Sequence, residues 1–278
     1  MTEFLDVNGG RIAYEVSGEG PLVVLLPGMG IRRDFYRSLA AQLVAAGYRV
    51  AAADLRGHGE SSTGWSSCTR TDTAADTLDL IRHLGGPAVI VGHSFSGGSA
   101  TIAAAQAPDL VSAVVEIGPF TRVPKISLGA LLRNSRYRKG TWLLLATGLT
   151  GSVRTWTRYL DHAFPGPKPA GYAELISGLQ ANLREPGRMA ATRKMGRSRP
   201  ADAEAKLGRI QCPALVVMGT LDPDWPDPRA EADAIVAAMP AGLGRTVMID
   251  GAGHYPHTQF PDQVAAAMVP FLKEHVGA

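Results

Sequence analysis

Over the first 118 positions the apolar residues fall into two alternating patterns. Leu22 to Leu26, Tyr48 to Ala53, Val89 to Val91 and Val111 to Ile117 are short, nearly continuous apolar runs, the signature of strands buried on both faces of a sheet. Between them Phe35, Leu39, Leu43 and Val44 recur at helical spacing across Phe35 to Ala46, with Gly47 placed to end the helix. Ala74, Leu78, Ile81 and Leu84 repeat that spacing across Ala74 to Leu84, and Ala100 to Ala107 is compatible with a further helix. At the start of the chain, Phe4 to Val7 and Ile12 to Val16 flank Asn8-Gly9-Gly10, and Asn-Gly supplies the positive φ angles of a hairpin turn.

Strands alternating with helices predict a mostly parallel sheet with helices on both faces. The alternation stops at Gly118-Pro119. From Pro119 to Pro200 there are amphipathic segments, Trp142 to Leu149, Val153 to Leu160, Tyr172 to Leu183 and Arg188 to Met195, but no comparable strand run. Strand and helix patterns resume at Ala214 to Met218, Arg229 to Ala238, Thr246 to Ile249 and Gln263 to Val276. The predicted organisation is an α/β core formed by residues 1–118 and 201–278, with a helical cap inserted at 119–200.

One stretch carries chemistry. The run from Val89 ends abruptly in Gly92-His93-Ser94-Phe95-Ser96, which reads as strand, sharp turn and helix. A serine on such a turn sits at strained backbone angles, so the positions two before and two after it must be small; Gly92 and Ser96 hold them. A serine hydroxyl is a poor nucleophile without a base to take its proton, and the base needs a carboxylate to fix its tautomer. Asp222 follows the buried run ending at Met218, and His254 follows the run ending at Ile249, so all three groups fall at carboxyl ends of strands, where open α/β sheets bind ligands.

These motifs resemble the α/β-hydrolase superfamily, whose elbow is written G-x-S-x-G; this chain departs from it at the fifth position, Ser96. The order Ser94, Asp222, His254 is also that of the superfamily. Gly219-Thr220-Leu221-Asp222 with Pro226 resembles its acid loop, Gly253-His254 with Pro256 its histidine loop, and Pro27-Gly28-Met29-Gly30 its oxyanion loop. Asp54 to Ser62 is similar to another common stretch. The resemblance implies an α/β-hydrolase fold and a serine hydrolase of esters or thioesters, with Ser94 as nucleophile, His254 as base, Asp222 as orienting acid, and the Met29 and Phe95 N–H groups as oxyanion hole. Perhydrolases, carbon-carbon bond hydrolases and acyl transferases use the same triad, and some proteins of this fold bind ligands without turnover.

Other residues are weighed against these. Asp224 and Asp227 lie near Asp222, but only Asp222 has the spacing to Gly219 and Pro226 that the resemblance to the superfamily implies. His58 and His93 read as structural, and His257, three residues after His254, lacks the companions of a metal site. No dinucleotide or phosphate-loop fingerprint is present, so no cofactor and no metal are implied. Cys68 and Cys212 form no disulfide framework.

Composition changes this picture in one respect. With 45% hydrophobic and 19% charged residues and a net charge of +3, the chain as a whole gives no argument for nucleic acid or membrane. No secretory pattern opens it and Trp142 to Leu149 is far short of the roughly 20 residues of a membrane span, so a cytoplasmic setting is expected. The charge is uneven, however: residues 119–200 hold 15 Lys and Arg against 3 acids, leaving 13 against 22 elsewhere. Such a basic segment either binds the acidic body through solvated helix faces or attracts an anionic or carrier-linked acyl substrate or an anionic surface. In the second case Leu131, Leu132, Trp142, Trp156 and Leu179 are the candidates for an acyl pocket.

Overall fold

In the computed structural model, which describes residues 1–277, eight strands form one sheet in the order β1-β2-β4-β3-β5-β6-β7-β8. The strands are β1 (Glu3–Val7), β2 (Gly10–Ser17), β3 (Leu22–Leu26), β4 (Arg49–Ala53), β5 (Ala88–His93), β6 (Val111–Ile117), β7 (Ala214–Gly219) and β8 (Gly244–Ile249). The β1–β2 hairpin and the β2–β4 pair are antiparallel, and every other pair is parallel.

Every residue of β3, β5 and β7 is buried, as their unbroken apolar runs require. Alternate side chains enter opposite layers: Leu22, Val24 and Leu26 pack with helices α2 (Arg70–His83), α3 (Phe95–Gln106) and α10 (Pro228–Ala237), whereas Val23 and Leu25 pack with α1 (Arg37–Ala45) and α12 (Pro261–His275), which follows the one-turn α11 (Pro256–Gln259). Because α1 leaves β3 on one face and α3 leaves β5 on the other, the chain diverges at the carboxyl ends of these two neighbours. That divergence opens the crevice where such sheets bind ligands.

Helix starts differ from the apolar spacing where capping decides them. Helix α2 begins four residues before Ala74, because Thr69 and Asp72 form a reciprocal capping box. Helix α3 begins at Phe95, since the Ser94 turn is itself its N-terminal cap position. Between β6 and β7 lie α4 (Leu128–Arg133), α5 (Ser135–Thr150), α6 (Val153–Ala163), α7 (Tyr172–Arg184) and α8 (Arg188–Arg197), with a short α9 (Ala201–Glu204) before β7. Asn134 and Ser152 cap α5 and α6 through side chains that accept from Tyr137 and Thr155 N–H groups. Helix α5 therefore begins seven residues before Trp142, in a polar stretch that shows no apolar period.

These helices have a core of their own, in which Trp156, Leu160, Phe164, Ile176, Leu179 and Leu183 pack against Ile31, Phe35 and Tyr255 of the sheet-bearing part. Their cations hold the two parts together chiefly through carbonyls. Arg188 donates to the His58 and Ser61 carbonyls and Lys194 to Trp65 O at 2.6 Å, while Arg122 reaches Glu231 at 3.0 Å.

Glu116 of β6 is fully buried and accepts hydrogen bonds from Thr101 and Thr121. Burial outweighs those bonds and pushes its carboxyl up from 4.5 to about 7. The folded state thus holds this proton more tightly than the unfolded chain, so its contribution to stability is full below pH 4.5 and is lost as pH rises through about 7. Glu116→Gln is expected to gain stability over the native protein at pH 8, by up to about 3 kcal/mol, and to show no such gain at pH 4.5. Urea denaturation at the two pH values reads this directly; an equal effect at both would show that Glu116 is not held protonated.

Candidate active site

The Ser94 turn is where the fold places its strain. Ser94 has φ 53° and ψ −115°, the one positive φ at a non-glycine position among the described residues. A Cβ on Gly92 would come within 2.2 Å of Ser96 O, so nothing larger than glycine passes there. The departure from the elbow pattern has a use: Ser96 Oγ donates to Pro27 O at 2.6 Å, tying the helix start to the loop after β3. Gly28 is needed for close approach in the same loop, since a Cβ would lie 2.8 Å from His93 Nδ1 and 3.0 Å from Ser94 Cβ.

The three predicted site residues converge. His254 Nε2 lies 2.9 Å from Ser94 Oγ, and His254 Nδ1 lies 2.8 Å from Asp222 Oδ2. The loops carrying the acid and the histidine touch backbone to backbone: Leu221 N–H donates to Ala252 O at 2.8 Å, and a Cβ on Gly219 would strike Gly253 O at 2.2 Å. Met29 lies in the loop after β3 and Phe95 is the first residue of α3, which leaves its N–H among the unpaired donors of a helix start. Ser94, Phe95, Met29 and His254 all line a cavity of about 570 Å³ roofed by residues of α5, α6 and α8. Of the five apolar residues weighed for its wall, Trp156 alone lines it; Leu179 packs in the helical core, and Trp142 and Leu132 are exposed. Leu144, Leu145, Leu149 and Met195 take that place.

Asp224 joins the site although its spacing sets it aside. Its Oδ2 accepts from Tyr159 Oη at 2.6 Å and lies 3.4 Å from His254 Nδ1, while its N–H donates to Asp222 Oδ1 at 3.0 Å. Asp222, Asp224 and His254 offer ligand atoms within 4.8 Å of one another, but both acids face His254 through the same Nδ1, whose proton the shorter distance directs to Asp222. Burial alone would lower the pKa of His254; the charges of Asp222 and Asp224 and the bond to Asp222 more than reverse this and raise it to about 9. Burial pushes Asp224 up as well, to about 6.

The other histidines nearby are neutral. Burial drives His58 down to about 4 and His93 far below its ordinary value. His58 Nδ1 donates to Arg56 O at 2.8 Å, so Nε2 accepts from Gly30 N–H at 2.9 Å, with Thr192 Oγ1 3.1 Å away. Trp156 Nε1 donates to Gly30 O at 2.8 Å, so the residue after Met29 is gripped on both sides. His93 Nε2 donates to His254 O at 2.9 Å. Thus His58 and His93 are structural, but what they brace is this site; Gly57-His58-Gly59, a buried-capable ring between two turn glycines, is the sequence signal for the first. His257, stacked 4.4 Å from Tyr36, has no polar partner on either ring nitrogen among the described residues.

The profile of the alpha/beta hydrolase family matches residues 23–267. The chain belongs to that family. Among its relatives, the 2-(acetamidomethylene)succinate hydrolase of Mesorhizobium japonicum is 28% identical, over 96% of this chain and 94% of its own. The pimeloyl-[acyl-carrier protein] methyl ester esterase of Chromobacterium violaceum is 30% identical, over 94% of this chain and 92% of its own. The fold recurs in a thermophilic esterase from Thermogutta terrifontis, with a TM-score of 0.76 at 24% identity, covering 99% of this chain and 98% of that one. This alpha/beta hydrolase is accordingly an enzyme of the hydrolase type, and among the described residues no helix is long and apolar enough to cross a membrane.

Only neutral His254 can accept a proton, so kcat/KM is expected to rise with pH up to about 9. Asp224→Asn removes one of the two charges that hold His254 protonated; its rising limb moves to lower pH while the plateau changes little. Asp222→Asn removes a charge and the orienting bond together, so its limb also moves to lower pH but its plateau falls by roughly 10⁴-fold. Exchanged results in pH–rate profiles of the two variants would move the acid role to Asp224.

Proposed function

We propose that the chain is a serine hydrolase that cleaves a carboxylic ester or thioester through an acyl-enzyme on Ser94. The observation that carries this reading is the continuous hydrogen-bond line from Ser94 Oγ through His254 to Asp222, at 2.9 and 2.8 Å, on the floor of a cavity with apolar walls. Ser94 attacks the acyl carbonyl while His254 Nε2 takes its proton, and Asp222 fixes the Nδ1–H tautomer and stabilises the imidazolium. The developing oxyanion is held by the N–H groups of Met29 and Phe95, each such donor being worth about 3 kcal/mol of barrier. His254 then protonates the leaving group and activates the water that releases the acid.

Two further features support the reading. His58 and Trp156 hold Gly30, and Ser96 holds Pro27, so the loop that presents Met29 is rigid before substrate arrives, as electrostatic stabilisation of a transition state requires. The relative named as a methyl ester esterase supports ester cleavage, and its carrier-linked substrate is compatible with a basic insertion. Residues 119–200 act in this proposal as a cap over the acyl site, carrying part of its wall on α5, α6 and α8.

Ser94→Ala is expected to abolish ester turnover and labelling by a fluorophosphonate probe while leaving the thermal midpoint within a few degrees, because the hydroxyl packs nothing. Near-native cleavage, or labelling that survives in this variant, would sink the nucleophile assignment.

A further inference from the structure

The ionisable lining of the cavity is one-sided. Four arginines, Arg70, Arg193, Arg197 and Arg199, face a single carboxylate, Asp224, which is already engaged by Tyr159 and His254. Arg193 is occupied, its Nε and Nη2 donating to the Gly148 and Leu149 carbonyls at the end of α5. Arg197 and Arg199 are exposed at the rim.

Arg70 is different. It stands in the first turn of α2, is only 4% exposed, and passes so close to α3 that a Cβ on Gly98 would lie 2.8 Å from its Cδ. Its guanidinium lies over the ring of Phe95, 4.3 Å from the centroid, beside the residue whose N–H is proposed for the oxyanion hole. Nε donates to Phe120 O at 3.2 Å and Nη1 to Ser198 O at 2.9 Å. A guanidinium has five N–H donors, and the other three, both of those on Nη2 included, meet no acceptor among the described residues. No carboxylate comes within ion-pair distance of it among those residues either. Carbonyls orient a cation but do not neutralise it, and a buried charge without a counter-ion is a standing cost to the fold.

We infer that Arg70 is an anion-binding group of the acyl cavity and that the substrate is an ester or thioester bearing a carboxylate, which pairs with the free edge of the Arg70 guanidinium. The inference rests on the reading of the Ser94 cavity as the place of ester cleavage. The planar fork of arginine matches a carboxylate through two parallel hydrogen bonds. A monoanion is the charge that fits: one buried cation balances one negative charge, whereas a phosphate dianion would need a second, and of the other lining arginines Arg193 is occupied while Arg197 and Arg199 are exposed at the rim. Burial lowers the Arg70 pKa to about 10, slightly offset by Asp202, so the group stays cationic at neutral pH. Its two carbonyl partners come from the loop after β6 and from the end of α8, which fixes the charge at the seam between sheet and insertion.

The test compares 4-nitrophenyl butyrate with two charged esters, mono-4-nitrophenyl glutarate (carboxylate on the acyl part) and 4-acetoxybenzoate (carboxylate on the leaving group). In the native protein at least one charged ester is expected to be preferred, and glutarate or benzoate to inhibit competitively. Arg70→Met is expected to lower the ratio of kcat/KM for that charged ester to kcat/KM for butyrate by tenfold or more, mainly through KM, with Arg70→Lys between the two. A ratio unchanged for both charged esters in Arg70→Met and Arg70→Lys would reduce Arg70 to a structural clamp and overturn the inference. Glutarate and benzoate binding is also measured by calorimetry on Ser94→Ala with native Arg70 and with Arg70→Lys, which needs no turnover. Binding weakened by Arg70→Lys supports the anion site even if no ester is cleaved, and a failure of cleavage alone counts against the catalytic reading only. Absence of binding by either anion at millimolar concentration overturns the site.

Discussion

The reversal of the chain at Ser94 is the constraint on which the rest of the site depends. A serine at φ 53° is a conformation that costs about 1–3 kcal/mol and persists only where neighbours over-determine it. They do so from several sides. Ser94 N–H donates to Ile117 O at 2.9 Å, Ser94 O accepts from Gly97 and Phe120 N–H groups at 3.0 Å each, and Gly92 and Ser96 are in direct backbone contact. Through Ser96 Oγ the same turn sets the loop after β3, and through Phe120 it sets the first residues leaving β6. The start of α3, the loop after β3 and the exit from β6 are thus tied to one residue held in a place it would not choose alone.

Burial then sorts the histidines. His58, His93 and His257 are all driven neutral by burial, and among the described residues no carboxylate opposes it. His254 is equally buried but stands between Asp222 and Asp224, and the sign of its shift is reversed. The neutral rings serve as fixed donors and acceptors, His93 on the His254 carbonyl and His58 on Gly30, while the one ring able to change charge is the one in contact with Ser94. A single physical effect, loss of water, yields opposite roles according to whether a counter-charge is within reach.

The helices between β6 and β7 are part of this arrangement rather than a detachable cover. Trp156 holds Gly30, Tyr159 holds Asp224, Thr192 reaches His58, and Ala163 O accepts the His254 N–H at 3.0 Å. A Cβ on Gly253 would meet Ala163 O at 2.1 Å, so the histidine loop is packed directly against the end of α6. Most cations that join these helices to the body end on carbonyls and not on acids, which is why an imbalance of 15 bases to 3 acids leaves charge free at the cavity rim.

The amino-acid sequence alone determined the sheet, the elbow and the three residues that meet there, for a common reason: each is a local property. A strand buried on both faces must be apolar throughout, a turn at positive φ must have small neighbours, and a group at the carboxyl end of a strand is carried to the open edge of the sheet whatever surrounds it. Helix starts set by capping were partly hidden, since Thr69 with Asp72 and Asn134 act through single hydrogen bonds that leave no apolar period. Only the tertiary structure decided the rest. That Asp224 stands beside His254, that His58 and Trp156 clasp one glycine, that Leu144 and Met195 rather than Leu131 or Trp142 wall the cavity, and that Arg70 is buried there with no ion-pair partner among the described residues all depend on segments far apart in the chain. Burial and pairing are properties of the neighbours a residue acquires on folding, and no spacing along the chain records them.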